Sequence, residues 1–322
     1  MSIDSMKKIR VFLFVLVVLL LFCQGCGAST NINYEKVIID GIEYHFYDYD
    51  NEPYYYVYKA QNKNITSVSI EEYINGYPVR KVGRDDSGWL VAPFEGCTKL
   101  TKISIPNTVQ VIGNSAFADC SALETITLPK SIEVIYSFAF KGCTLLKSIV
   151  IPDAVETIGY ASFKNCRALV SIVLPKNLKE ISWQAFEGCS SLRKLDLPNG
   201  VAKIGERAFL DCSSLEKITL PDSITTMEKM AFWGCKKLSE FKIPRGITVI
   251  SEYLTFNCTN MVKVYIPKSV AKIEKSAFGY DSHRYVPQIY YESTKENWRK
   301  VVVEEGNRQY TDLDNFIFNV KW

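Results

Sequence analysis

Apolar positions through the middle of this chain recur as a 23-residue block, not at the roughly 3.6-residue period of a helix face. Residues 97–117 show one block: C-T-K-L-T-K-I-S-I-P-N-T-V-Q-V-I-G-N-S-A-F. Leu100 returns in phase as Leu123, Leu146, Leu169, Leu192, Leu215 and Leu238, then Met261. The pair Ile103 and Ile105 returns in every block as far as Val264 and Ile266, and Pro106 as far as Pro267. Phe117 returns as Phe140, Phe163, Phe186, Phe209 and Phe232, and in phase again at Phe278.

Each part of the block predicts an element. L-x-x-I-x-I ends in the alternation of a short strand with one buried face. The proline that follows removes a backbone donor and stops the ladder there. V-x-x-I-G supplies two inward apolar residues and then a small residue at a bend. The last piece, x-x-A-F-x-x-C, suits one short helical turn with its Phe as the large core filler. One such unit cannot bury its own apolar side, whereas stacked units share a continuous core. A period of about 20–29 residues is that of a leucine-rich solenoid. The expected fold is therefore an α/β repeat of 23-residue units, each a short strand plus a short helical turn, with eight turns over residues 94–281. At ~4.8 Å per strand those turns make a sheet roughly 40 Å long.

Eight of the ten cysteines share the interval: Cys97, Cys120, Cys143, Cys166, Cys189, Cys212, Cys235 and Cys258. An even set in an exported chain normally suggests disulfides. Here the eight positions are equivalent, and pairing neighbours would break that equivalence and distort the stack. They read as a structural ladder of buried free thiols, each behaving as a small hydrophobe. A zinc site needs ligands gathered in local pairs, and the chain has only two histidines, His45 and His283.

The recurring pattern C-x-x-L-x-x-I-x-[IL]-P-x-x-[VI]-x-x-I-G-x-x-A-F resembles the Treponema pallidum-type leucine-rich repeat of the BspA-like family. I-N-G-Y-P-V-R-K-V-G (residues 74–83) is similar to that family's opening repeat, and I-Y-Y-E-S-T-K-E-N-W (residues 289–298) to its closing segment. Departures include Tyr136 and Glu228 for the glycine, Ser162 for the alanine, Asp281 for a ninth cysteine, and Thr255 in the Phe position with Phe256 one place late. The resemblance implies bacterial surface roles such as adhesion to host matrix, co-aggregation or protein–protein contact.

The ends of the chain predict a location and two covers. Lys7, Lys8 and Arg10 precede an apolar run over residues 11–22, followed by Gly25, Cys26, Gly27 and Ala28. That order is the one expected of a lipoprotein-type signal peptide, residues 1–25, cleaved before a lipid-carrying Cys26, with residues 26–33 as tether. Cleavage near Ala28 with release, and an uncleaved anchor, are the other two outcomes. Residues 34–93 read as an N-terminal cap with the opening repeat. Residues 41–60 hold seven tyrosines, Tyr44, Tyr47, Tyr49, Tyr54, Tyr55, Tyr56 and Tyr58, and Tyr44-x-Phe46 and Tyr54-x-Tyr56-x-Tyr58 alternate across residues 50–53 as a β-hairpin. Its aromatics are either a cap on the first turn or a platform for a partner. Residues 85–90 form an extra loop that carries Trp89, a candidate contact. Residues 282–322 read as the C-terminal cap, with a Ser293/Glu296 capping box opening a helix near residues 294–303 and a last strand around Ile317 and Phe318.

No G-x-S-x-G, H-E-x-x-H, P-loop or dinucleotide fingerprint occurs, so neither an enzyme nor a cofactor is expected. Net charge is +3 with no basic stripe, which argues against nucleic acid. Function is expected on the solvent face of the strands, at Lys102, Thr125, Thr127, Val150, Val173, Lys194, Lys217, Lys242, Lys263 and Tyr265. Turns two to four of it are uncharged, with Val150 and Val173 adjacent, and turns five to eight carry Lys194, Lys217, Lys242 and Lys263. The expected protein is a lipid-anchored surface binder of a protein or glycan ligand; a passive scaffold subunit of an envelope complex is the alternative.

Overall fold

A repeat of two short apolar segments folds by pairing each segment with its equivalent one block away. The structure, a computed structural model, describes residues 35–48, 52–84, 91–278, 287–307 and 313–322. Cys26, the leader and tether, Trp89 with its loop, Tyr49, Asp281 and His283 lie outside the described residues.

The strand expected from L-x-x-I-x-I forms a parallel ladder in register. Ser148 pairs with Ser171, Lys194 with Lys217 and Glu240 with Lys263, each one block apart. Ser67–Ser69 precedes this first sheet, and Gln288–Tyr291 and Phe316–Phe318 extend it beyond the regular blocks. The V-x-x-I segment forms a second parallel sheet that the sequence pattern did not predict as strand. Val111 pairs with Val134, Glu180 with Lys203, Lys203 with Thr226, and Lys272 with Val302. These strands are two residues long, too short for an alternation to register. The result is a leucine-rich β-solenoid of about ten turns, against the eight expected.

The expected helical turn at x-x-A-F-x-x-C is not formed. Ser115, Phe138, Ala161, Gln184, Arg207, Met230, Tyr253 and Ser276, one per coil, have φ between 48° and 60°. A left-handed residue ends any right-handed helix after one step. The segment instead splits its donors. Phe117 N–H reaches Ala139 O on the next coil, while Ala118 N–H reaches Ser115 O on its own. Ser115 and Asp119 N–H groups likewise cross to Ser137 and Lys141. A third inter-coil ladder therefore satisfies backbone groups that would otherwise be orphaned inside the stack.

A second left-handed position precedes each cysteine: Gly96, Asp119, Gly142, Asn165, Gly188, Asp211, Gly234 and Asn257. These are the residue types that tolerate positive φ. They also alternate for a packing reason. A Cβ on Gly142 would strike the Asp119 carboxyl, and a Cβ on Gly188 the Asn165 amide. One coil's side chain fills the space left by the next coil's glycine.

The core is built from columns. The rings of Phe94, Phe117, Phe140, Phe163, Phe186, Phe209 and Phe232 stack with centroids 5.2–5.6 Å apart and planes within 11°. Where Thr255 breaks the column, Leu254 fills the alanine slot and Phe241 turns its ring edge-on to Phe232 at 5.0 Å. The eight thiols form a parallel buried column, none bonded to another. From Cys120 to Cys258 each S–H donates to the carbonyl of the preceding coil's aromatic, as Cys143 does to Phe117 O at 3.1 Å. That carbonyl also accepts its own coil's cysteine N–H. The position needs a small side chain with a donor, so it is more than a small hydrophobe.

At the N-terminal side, β1 (Lys36–Ile39), β2 (Ile42–Tyr47) and β3 (Tyr54–Ala60) form an antiparallel meander. The Asp40-Gly41 turn, both residues at positive φ, joins β1 to β2. β3 pairs in parallel with residues 77–82, which continue into the second sheet. At the C-terminal side the helix is one turn, α1 (Lys295–Trp298). Its N-cap is Thr294, not Ser293, whose hydroxyl accepts from the Asn297 side chain. It stops early because the β-branched residues Val302–Val303 pair with Lys272 and Ile273. Trp298 packs against Tyr291 and Phe316.

Two outcomes follow. Gly142→Ala is expected to cost about 1–3 kcal/mol, since it adds a Cβ at φ 72° against Asp119; guanidinium unfolding checks it. The thiol column makes stability fall in alkali. Burial pushes the Cys143 thiol up to about 12 and holds its neighbours high as well. A folded pKa above the unfolded one means the stabilisation is whole below the unfolded value, near 9, and is lost as pH climbs towards 12. Cys143→Ser, which keeps the donor without titrating, is expected to flatten the slope of stability against pH by ~1.4 kcal/mol per unit between pH 9.5 and 11. An unchanged slope would refute this.

Candidate functional surface

Side chains alternate along each strand of the first sheet, so the residues between the buried ones meet solvent. Lys102, Thr125, Thr127, Val150, Val173, Lys194, Lys217, Lys242 and Lys263 are all exposed there, and Tyr265 is half-buried. Parallel register gathers them into two columns. One runs Lys102, Thr125, Ser148, Ser171, Lys194, Lys217, Glu240, Lys263 and Gln288; the other runs Thr127, Val150, Val173, Asp196, Thr219, Lys242, Tyr265 and Tyr290.

Three zones result. Val150 and Val173 are direct register partners, 62% and 56% exposed, and form a small apolar zone. Lys194 lies directly beside Lys217, and neither has a carboxylate within ion-pair distance among the described residues. Like charges directly opposite on a sheet are destabilising. The basic half is not uniform, however. Lys242 sits 3.5 Å from Glu240, and Asp196 accepts from Thr219.

The third zone is aromatic, and period-based reading located only one of its members. Tyr265 stacks on Tyr290 at 4.6 Å and 16°, Trp322 meets it edge-on at 5.4 Å, and Lys242 Nζ lies 5.1 Å over its ring. Burial, then Glu240, raises the Tyr265 pKa. Arg245 locks this end. It pairs with Asp222 and Glu292, both at 3.1 Å, donates to the Trp322 carbonyl, and lies 5.7 Å over that indole. Tyr290 and Trp322 escape the 23-residue search because the spacing lengthens after Tyr265.

Four tyrosines of the tyrosine-rich segment are turned inward. Tyr44, Tyr54, Tyr55 and Tyr56 are buried, because the meander is covered on both faces. Tyr55 faces the main core, while Tyr54 and Tyr56 pack with Val91. The remaining polar feature is Glu43, buried and bonded to His45 and Gln61, with His45 stacked on Tyr58 at 3.9 Å. Burial raises the Glu43 pKa, but the donors around it outweigh this and hold it low. Among the described residues no cluster of His, Cys, Asp or Glu is arranged for a metal ion.

The model of the BspA type leucine rich repeat region matches residues 92–182 and 156–284, six copies in all and more than half of the chain. The chain belongs to the BspA-type leucine-rich repeat family. A leucine rich repeat protein of T. pallidum, 28% identical, matches with a TM-score of 0.54, covering 66% of this chain and 91% of that one. A leucine-rich repeat protein from Bacteroides ovatus is 22% identical, with a TM-score of 0.49 over 84% of this chain and 88% of its own. A leucine rich cell surface protein from Faecalibacterium prausnitzii is 21% identical, with a TM-score of 0.44 over 84% and 98%. No curated protein matches the chain.

The lysine pair predicts a stability signature. Lys194→Glu is expected to raise Tm by about a degree or two at low ionic strength, and by nothing at high salt, where screening removes the repulsion. Differential scanning fluorimetry at two salt concentrations checks it.

Proposed function

We propose that the protein is exported, held at the bacterial cell surface through lipid on Cys26, and acts by binding through the solvent face of the first sheet. The reading is supported most by the Lys194–Lys217 register pair. A fold that leaves two like charges side by side on a flat, open strand face carries a cost that an acidic ligand removes. Lys242 and Lys263 continue the positive surface, and the Tyr265–Tyr290 stack gives it an apolar end against which an acidic polysaccharide or an acidic protein segment packs. The family is one of repeat proteins whose extended faces suit recognition. Residues 34–93 and 282–322 act in this reading as covers for the two ends of the stack. Export rests on the basic, apolar, then Gly-Cys order of the first residues.

Two measurements test the parts separately. The variant with Lys194, Lys217, Lys242 and Lys263 all changed to Glu is expected to lose at least tenfold in affinity for an immobilised anionic polymer, heparin or polyglutamate, at 50 mM salt. Undiminished binding sinks the basic-face reading. The intact mass of protein from its native membrane is expected to correspond to a chain starting at Cys26 with added acyl chains. A lipid-free chain starting near Ser29 refutes the anchor.

A further inference from the structure

A repeat protein carries its own controls, because each position recurs in a near-identical setting on every coil. The position that follows the second sheet's bend points to solvent, and most coils fill it with Asn114, Ser137, Glu206, Lys229, Glu252 or Lys275. Two adjacent coils instead carry Tyr160 and Trp183, 55% and 41% exposed. The neighbouring position on the coil before carries Phe138, 36% exposed and at φ 60°. A bulky residue in the left-handed region is strained. Backbone bonds from Phe138 N–H to Tyr160 O and from Ala161 N–H to Trp183 O bring the three coils side by side. The stack does not need Tyr160 or Trp183, since the other coils carry polar residues at that position, and it does not need Phe138, whose place is filled on other coils by Ser115, Ala161, Gln184 or Arg207.

We propose that Phe138, Tyr160 and Trp183 form a second binding site, for a neutral glycan chain, on the edge of the solenoid away from the lysine-bearing face. Geometry and size favour that ligand. Tyr160 and Trp183 meet edge to face, with centroids 6.3 Å apart and planes at 72°. That corner leaves one ring face as a floor and the other ring as a wall, against which the C–H side of a pyranose packs. Three coils at ~4.8 Å spacing span about 10 Å, the length of about two linked sugar units. A protein partner needs roughly 800 Å² on each side. The aromatic patch itself is smaller, with Asn114 at the same position on one side and Glu206 on the other. At its margin Glu206 lies 3.5 Å from Arg207 and 3.7 Å from Lys229, and Lys141 Nζ lies 5.9 Å over the Phe138 ring. The polar atoms of these side chains suit sugar hydroxyls.

Affinity electrophoresis tests this, with xylan, mixed-linkage β-glucan, galactan, mannan and dextran as the polymers in the gel. The full-length protein is expected to be retarded by at least one of them. Trp183→Lys and Tyr160→Glu install what other coils carry at the same position, so both are expected to keep the wild-type Tm within about 2 °C. Each is expected to weaken the retardation at least tenfold, while the strand-face quadruple lysine variant retains it. Retardation by none of the five polymers overturns the proposal, as does retardation that survives in Trp183→Lys and Tyr160→Glu. Loss of the same retardation in the quadruple lysine variant moves the glycan to the strand face and equally overturns it. A Trp183-dependent shift with heparin alone overturns the neutral character of the ligand.

Discussion

The whole structure depends on one constraint, that backbone must bond to backbone across successive coils. Three segments of every coil do so in parallel, through the two sheets and through the turn segment at x-x-A-F-x-x-C. The third set is the demanding one. Its N–H groups can point alternately to their own coil and to the next only if two residues per coil take left-handed backbone. That requirement replaces the helix that propensity alone favours there, and it ties each coil's conformation to that of its neighbour.

Regular pairing makes equivalent side chains stack, and each column has its own chemistry. Phe rings stack on Phe rings, thiols bond to the carbonyls of the coil before, and glycines alternate with Asp or Asn because only one of each pair has room for a side chain. In one place an exchange in a column is compensated by its neighbours. Thr255 removes a ring from the Phe column, and Leu254 with Phe241 restores the volume. Stability of this kind is distributed over near-neighbour contacts, so damage to one column is felt mainly by the coils on either side.

A core satisfied by repetition leaves the outward positions free to differ. The strand face uses that freedom to place lysines, valines and a tyrosine stack within one plane, and the opposite edge uses it to place three exposed rings. In both places the informative residues are those that break the pattern of their own column: a lysine beside a lysine, an aromatic where other coils have a charge. The surface is read by its exceptions, whereas the core is read by its rule.

The sequence by itself determined the repeat, the strand with its buried and solvent faces, and the aromatic and thiol columns. These follow from side-chain type and spacing, which period and alternation report directly. The alternation of Gly with Asp or Asn before each cysteine stands in the sequence as well, but only the positive φ of the folded chain gives it a reason. The second sheet was not, because two-residue strands show no alternation, and neither was the missing helix. Residues as different as Phe138, Arg207 and Met230 share one left-handed backbone position, so nothing in their identity signals it. Only the tertiary structure decided these, and it alone joined Tyr265 to Tyr290 and Trp322, or Tyr160 to Trp183. Hydrogen bonds between coils override local propensity, and contacts made across coils depend on register and on irregular spacing that no local pattern encodes.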